Sequence, residues 1–341
     1  MTVLARIPSE GEAVLLAALA ASPVRGSARA RSLIEGAGLP TRRVESWRWS
    51  DLRQALTSDI AMPAPDKAKD RAYRDESVFA SAGDVIAELA IGFGRERLIK
   101  VGAGQTVTAT EDLGSDGAFD PRFTEIEIGE GASLTRIVTQ TGSGVALSSA
   151  RVRVAKGARY TQFVMAEGAK LARIETHVSI EGEGARVELN GAYLCGAGRH
   201  ADLSSVIEHK APDGETRQLI KGVARKGGRG VFQGKIVVDR GAQKTDARQR
   251  HHGLLLEEGA EVFAKPELMI HADDVQCAHG NAVGGLDETA LFYMRSRGVP
   301  KSEARALLIE AFLAETIPAS LPPAAAGELL ARMRAWLRGA L

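Results

Sequence analysis

The chain has 341 residues, 44% hydrophobic and 26% charged, with 44 Lys and Arg against 43 Asp and Glu for a formal charge of +1. That balance excludes a general binder of nucleic acid or anionic lipid, and the length predicts roughly two or three structural units with ample material for a core. Thirty-seven glycines beside only 5% aromatic residues favour turn-rich β structure packed with Val, Ile, Leu and Ala, and no G-X-Y period exists to suggest collagen.

Ser9-x-x-Glu12 is a capping box, and Val14, Leu15, Ala18 and Leu19 recur behind it at helical spacing, which predicts an amphipathic helix. Val14 to Ala21 also has the length of an export signal's apolar segment, but Glu10 and Glu12 stand where such a signal carries positive charge. No run of about 18 uncharged apolar residues occurs, so no membrane span is expected. A second helix is predicted from Ser27 to Ala37, ended by Gly38 and Pro40. Glu45-Ser46-Trp47-Arg48-Trp49-Ser50-Asp51-Leu52 holds two of the three tryptophans, which read as anchors of a small helical domain. Met62 to Asp75 is polar and aperiodic and reads as a linker.

From about Leu98 the pattern becomes short strands separated by glycine turns. Glu130-Gly131-Ala132, Lys156-Gly157-Ala158, Glu183-Gly184-Ala185, Arg240-Gly241-Ala242 and Glu258-Gly259-Ala260 each follow a strand-like run. The first three turns lie 26 and 27 residues apart, and the gap of 57 to the fourth is close to two more periods. Strands and turns at that period predict the stacked coils of a β-solenoid, with Ile128, Val154 and Ile180 at equivalent positions. A sandwich of antiparallel hairpins is the competing arrangement, and the 18-residue gap to the last turn breaks the solenoid pattern.

After Gly285 helices return. Asp287 is the expected N-cap of a segment holding Leu291, Phe292, Met294 and Arg295, closed by Gly298 and Pro300. A helix near Ser302 is expected to present Leu308, Ala311 and Phe312 on one face, and a last helix covers Gly327 to Arg338.

Several chemistries lack their residues. There is no G-x-x-x-x-G-K-[ST] phosphate loop, no G-x-S-x-G elbow, no H-E-x-x-H and no dinucleotide fingerprint. Arg225-Lys226-Gly227-Gly228-Arg229-Gly230 reads as a solvated turn between coils. The two cysteines, Cys195 and Cys277, form neither a disulfide framework nor a C-x-x-C and point to a reducing, cytoplasmic setting. Cys195 reads as core.

The informative stretch is His271-Ala272-Asp273-Asp274-Val275-Gln276-Cys277-Ala278-His279-Gly280. On a strand the two-residue period puts Cys277 and His279 on one face, where a thiolate and an imidazole suit iron or a soft metal and an imidazolium would lower the thiol pKa. Two ligands do not complete a tetrahedral site, so a partner would supply the rest. The simpler reading of the residues alone is a buried structural cysteine beside a satisfied histidine. His251 and His252, being adjacent, would point to opposite faces.

The run from His209 to Phe312 resembles the core of the SufB/SufD family, scaffold subunits of the Suf iron-sulfur cluster assembly machine. The matching text is HKAPDGETRQLIKGV, GRGVFQGKIVV, AQKTDARQRHHGLLLEEGAEVFAKPELMIHADDVQCAHG and LDETALFYMRSRG. Glu45-Ser46-Trp47-Arg48-Trp49 is similar to the family's amino-terminal Glu-x-Trp-(Arg/Lys)-(Tyr/Trp) motif. Cys277-Ala278-His279-Gly280-Asn281-Ala282-Val283-Gly284 resembles the SufD branch, since SufB carries a Glu-His-Glu type run there and further cysteines. The length is short even for that branch, which leaves the amino-terminal region as the part least covered by the resemblance.

The resemblance implies a mainly β fold, a right-handed parallel β-helix core flanked by N-terminal and C-terminal helical regions. The expected boundaries are 1–75 for the N-terminal helical region and linker, 76–285 for the β-helix and 286–341 for a helical region that docks an ATPase. It implies a non-catalytic scaffold partnered by a SufB-like scaffold and a SufC-like ABC ATPase, with a homodimer when the SufB-like partner is absent. The isolated chain would hold no cofactor, and a transient iron-sulfur cluster would form in the complex. Reduced flavin is associated with family complexes, although no flavin pocket is legible in the sequence. Cys277 and His279 become the expected cluster-assembly site, with His279 the stronger ligand or proton donor, and Phe292, Tyr293, Arg295 and Arg297 the expected ATPase contacts. The rival is a β-helix enzyme acting on polysaccharide, with Asp273 and Asp274 as its carboxylates. Such enzymes are commonly exported and carry groove aromatics, which are scarce between residues 100 and 270.

Overall fold

The computed structural model describes residues 6–66, 84–114 and 116–340. Helices α1 (Glu10–Ala21), α2 (Ser27–Ala37) and the single turn α3 (Leu52–Ala55) precede α4 (Val85–Gly92). The capping box forms as expected: Ser9 Oγ accepts from the Glu12 N–H at 3.3 Å, and Glu12 Oε2 accepts from the Ser9 N–H at 2.8 Å. Glu12 is fully buried and also accepts from Arg6 and from the Leu39 N–H, so the first turn of α1 is tied to the chain beyond α2. Gly38 ends α2 at φ +76°, a conformation that disfavours a side chain. The expected linker has no helix or strand from 62 to 66, and its remainder lies outside the described residues. Helix α4 falls inside the stretch expected to be β-helix. It is buried on all sides, from Val85 through Ala90, so it carries no 3.6-residue period by which a sequence could reveal it.

Fourteen strands follow among the described residues, and every pairing between them is parallel. One sheet stacks β1 (Glu96–Val101), β3 (Phe119–Ile128), β5 (Val145–Val154), β7 (Leu171–Ile180), β9 (His200–His209), β11 (Arg229–Val238) and β13 (Glu261–Ile270). The other stacks β2 (Thr106–Leu113), β4 (Ser133–Gln140), β6 (Arg159–Ala166), β8 (Arg186–Cys195), β10 (Glu215–Ala224), β12 (Asp246–Leu255) and β14 (Gln276–Gly284). Two strands make each coil, one per sheet, and the fold is a parallel β-solenoid. Hairpins, the competing arrangement, are absent from both sheets.

Ile128, Val154 and Ile180 do occupy one inward row, because Ile128 pairs with Val154 and Val154 with Ile180. The row continues through His209, Val238 and Ile270. Coil length drifts upward: Val145 pairs with Leu171, 26 residues on, His200 with Arg229, 29 on, and Arg229 with Glu261, 32 on. This drift and a change of corner explain the irregular turn spacing. Gly131, Gly157 and Gly184 lie at one corner with positive φ, and the next two coils place Asp213 and Lys244 there at φ 58° and 61°. Each of these five donates its N–H to the turn above, ending with Lys244 on the Asp274 carbonyl at 2.6 Å. Gly259 belongs to the opposite corner, above Gly198 and Gly227, so the 18-residue gap is a change of corner and not a break in the solenoid. Arg225 to Gly227 form the solvated turn expected there, at that second corner, whereas Gly228 is buried and Arg229 and Gly230 already open β11.

The lumen is apolar in two clusters, one around Val154 and Ile180, the other around Tyr193 and Phe232, with polar side chains threaded between them. Arg136, fully buried, is held by both oxygens of Glu111 and by Gln162 Oε1. Such groups are tolerated because every charge is paired and hydrogen-bonded.

Both outer faces are covered by helix. Leu15, Leu19, Ile34 and Leu52 pack on the first residues of β3, β5 and β7. Helices α5 (Glu288–Ser296), α6 (Lys301–Ala314) and α7 (Pro323–Ala340) follow the last strand. Ile309, Leu313, Leu329, Met333 and Leu337 of α6 and α7 cover Phe163, Met165 and Leu194 on the other sheet. The buried stripe of α6 is Ala304, Ile309 and Leu313, flanked by half-buried Leu308 and Phe312, whereas Ala311 is exposed. The expected face thus lies about one position off the observed one. Among the described residues no helix is long and apolar enough to cross a membrane.

Candidate interface site at the open end of the solenoid

The last coil ends both sheets. Strands β13 and β14 each pair on one side only, so their other edges carry unmatched N–H and C=O groups in parallel rows. Ile270 and Val283 are exposed beside them at 42% and 41%. This is the mouth of the lumen, and β14 sends its inward rows into it.

Cys277 pairs with Ala247, His279 with Gln249, Asn281 with His251 and Val283 with Gly253. Because Ala247, Gln249 and His251 are all fully buried in the lumen, Cys277 and His279 face the same way, as the two-residue period predicts. Cys277 is partly buried against the lumenal aliphatics, while His279 is exposed with no coil above it. Burial pushes the Cys277 thiol up, with Asp246 adding to the effect, so it is a thiol at neutral pH. The expected lowering by an imidazolium is therefore reversed. Among the described residues no group of three or more His, Cys, Asp and Glu could hold a metal ion, so the described part of the mouth brings only Cys277 and His279 together as candidate ligands.

Beneath the mouth run two polar columns that the residue pattern did not reveal. Gln218 Nε2–H donates to Ser205 and Gln249 Nε2–H to Gln218 Oε1 at 3.0 Å, leaving Gln249 Oε1 buried and without a partner among the described residues. Beside it, His251 bonds Tyr193 on one ring nitrogen and Asn281 on the other. His252 faces outward, as adjacency on a strand requires. Cys195 is core, its thiol pushed up to about 12 by burial.

Asp273 and Asp274 sit in the exposed turn between β13 and β14, where Asp274 receives Lys244 and donates its N–H to Gln243. They do not face a groove along the coils. Phe292 and Tyr293 on α5 are 71% and 59% exposed, and Arg295 and Arg297 are exposed beside them. The Arg297 guanidinium lies 5.2 Å from the Tyr293 ring centre and donates to its hydroxyl.

The tryptophan motif proves to be a clasp between the helical region and the solenoid. Trp47 is buried over the Arg173 guanidinium at 4.2 Å, and Trp49 stacks on Phe263 of β13 at 5.9 Å. Arg173 pairs with Glu175 and Asp202, each at 2.5 Å, and Ser50 donates to Asp202 while also touching His200 Nε2 at 3.2 Å. Ser50, His200 and Asp202 do not form a nucleophilic relay, since the carboxylate takes the serine proton directly and the histidine does not lie between them. Next to the clasp a groove of about 630 Å³ is lined by Trp47, Arg173, Glu175, His177, Gln233 and Lys265. Its charges are largely spent on one another.

The family model described as SUF system FeS cluster assembly, SufBD core domain, matches residues 88–312. An iron-sulfur cluster assembly SufBD family protein of Synechocystis is 35% identical over 201 residues, 58% of this chain and 44% of its own length. The iron-sulfur cluster assembly protein SufD of Escherichia coli is 36% identical over 167 residues, 49% of this chain and 40% of that protein. SufD of Bacillus subtilis is 30% identical over 210 residues, covering 57% and 45%. The chain thus spans less than half the length of these relatives.

Proposed function

Since the chain belongs to the SufB/SufD family of iron-sulfur cluster assembly proteins and is SufD-like within it, we propose that it is a non-catalytic cytoplasmic scaffold subunit. It pairs with a SufB-like subunit through the open end of its solenoid and carries a SufC-like ABC ATPase on its C-terminal helices. The nascent cluster forms where the two solenoid mouths meet. The observation that carries this reading is the last coil: two unpaired strand edges frame a mouth holding an exposed imidazole and a half-buried thiol. An edge-to-edge partner would satisfy the free backbone groups and bring its own ligands to complete the site.

In that setting His279 binds iron through a neutral ring nitrogen or passes a proton, while Cys277 must lose its proton before ligating. The exposed aromatic pair Phe292 and Tyr293, edged by arginines, has the composition of an interface anchor and fits the ATPase contact. Anaerobic co-expression with the two partners, followed by iron and sulfide assay, tests the proposal. His279→Ala should abolish the cluster and leave the complex assembled, and a fully loaded complex from that variant refutes the site.

A further inference from the structure

Resting on that reading of the mouth, the lumen beneath it decides how a further side chain there is turned. Tyr193 is fully buried, and among the described residues its hydroxyl has one partner, His251 Nε2 at 3.0 Å. A buried hydroxyl must give its hydrogen away or leave an orphaned donor. The Tyr193 hydroxyl therefore donates, and His251 Nε2 accepts. His251 is itself fully buried, stacked on Phe232 at 5.0 Å and 7°, and burial holds its pKa down to about 4, so the ring is neutral. Its single proton is then on Nδ1, which faces Asn281 at 2.7 Å. Asn281 must accept through Oδ1, because the alternative amide orientation would leave the Tyr193 hydrogen and a ring proton in conflict. With the oxygen turned down to His251, the amide N–H₂ is turned away from the lumen floor, and Asn281 is exposed at the mouth.

Asn281 stands two residues beyond His279 on β14, in the adjoining inward position, roughly 6.6 Å along the strand. At that separation, and with N–H donors instead of a lone pair facing outward, Asn281 can reach an atom bound to a metal at His279 without ligating the metal itself. The same logic operates one row over: Gln249 gives its N–H to Gln218, which turns its unpartnered Oε1 towards the last coil, directly under His279. An imidazole N–H at 279 turned inward would fill that acceptor and leave the other ring nitrogen facing out.

We propose that Asn281 is a third group of the mouth site, its side-chain N–H₂ donating to an anionic sulfur ligand, sulfide or thiolate, held on iron at His279. Hydrogen bonds to cluster sulfur are an established lever on its stability and potential, and an amide is the neutral donor that adds no competing charge. The orientation is built in before any partner arrives, because Tyr193 and His251 lie wholly within this chain.

Two measurements test this. The first needs only the intact chain: long-range ¹⁵N–¹H correlation of the histidine rings should show His251 protonated on Nδ1 and bare on Nε2. A proton on Nε2 would mean that the amide oxygen faces the mouth and would overturn the inference without touching the proposed function. The second uses the co-expressed complex, purified anaerobically. Asn281→Asp keeps an oxygen for His251 and removes the outward donors, whereas Asn281→Leu removes both. Iron and sulfide per complex should fall roughly tenfold in each, the effect of one lost hydrogen bond to a charged group, with partner pull-down unchanged. If His279→Ala loses the cluster and both Asn281 variants keep it, the role of Asn281 is refuted and the site stands. If His279→Ala keeps it, the site itself fails and this inference with it. Loss of partner pull-down in Asn281→Asp would make the residue a subunit contact and equally refute the donor role.

Discussion

Asp202→Ala should open the clasp that joins the amino-terminal helices to the solenoid. Asp202 is fully buried and receives Arg173 at 2.5 Å, Ser50 at 2.5 Å, Ser204 at 2.8 Å and Gln233 at 3.3 Å. Its loss leaves the buried Arg173 guanidinium with Glu175 as its remaining carboxylate, under the Trp47 ring. Removing one member of a buried ion pair costs about 3–5 kcal/mol, and the surviving Glu175 places this case near the lower end, about 3 kcal/mol. Asp202→Asn keeps the shape and one acceptor oxygen and should lose about half as much, since a neutral bond replaces a charge-assisted one. Urea unfolding followed by tryptophan fluorescence in a Trp336→Phe background reads the change where it occurs, because the two remaining tryptophans both lie in the clasp. A loss below about 1 kcal/mol in Asp202→Ala, with the Trp47 signal intact, would refute the assignment of the clasp to this ion pair.

Acid should destabilise the fold well above the usual carboxylate range. His200, His209 and His251 are held down to about 4 by burial, so each folded pKa lies below the unfolded value near 6.5. Their stabilisation is complete above about pH 6.5 and is lost as pH falls towards 4; a urea midpoint that stays flat between pH 7 and 4.5 would contradict this. Gly234→Ala would set a methyl 1.5 Å from Gln249 Nε2 and Gly222→Ala one 1.7 Å from the Tyr193 ring, so both should cost at least about 1–3 kcal/mol of stability and lower the melting temperature. Gly241→Ala, which meets nothing within 4 Å, should be neutral, and equal melting of all three would disprove the lumenal packing. Phe292→Glu and Tyr293→Glu should abolish ATPase pull-down at unchanged stability, whereas Phe312→Asp, half-buried under Lys221 at 4.5 Å, should unfold the helical cover first. Deleting 288–341 cannot make this distinction, since it strips the apolar cover from Phe163 and Leu194.

Local rules were legible along the chain wherever a residue's conformation depends on its near neighbours. The capping box at Ser9, the stop at Gly38, the N-cap at Asp287 and the shared face of Cys277 and His279 all follow from hydrogen bonds or periods spanning two to four residues. The early coil length was legible too, because three successive corners need positive φ and place glycine there. Later corners hide from the same reasoning: Asp213 and Lys244 adopt positive φ without glycine, and Gly259 serves the other corner. Helix α4 hides because burial on every side erases its period. The features that orient the mouth needed the fold itself. His251 meets Tyr193 across 58 residues and Asn281 across 30, Ser50 meets Asp202 across 152, and each meeting depends on how many residues the intervening coils consume. Coil length varies from 26 to 32 residues, while a one-residue slip on a strand turns a side chain from lumen to solvent. Only the stacked register decides that His279 and Asn281 face the mouth with buried hydrogen-bonding groups directly beneath them.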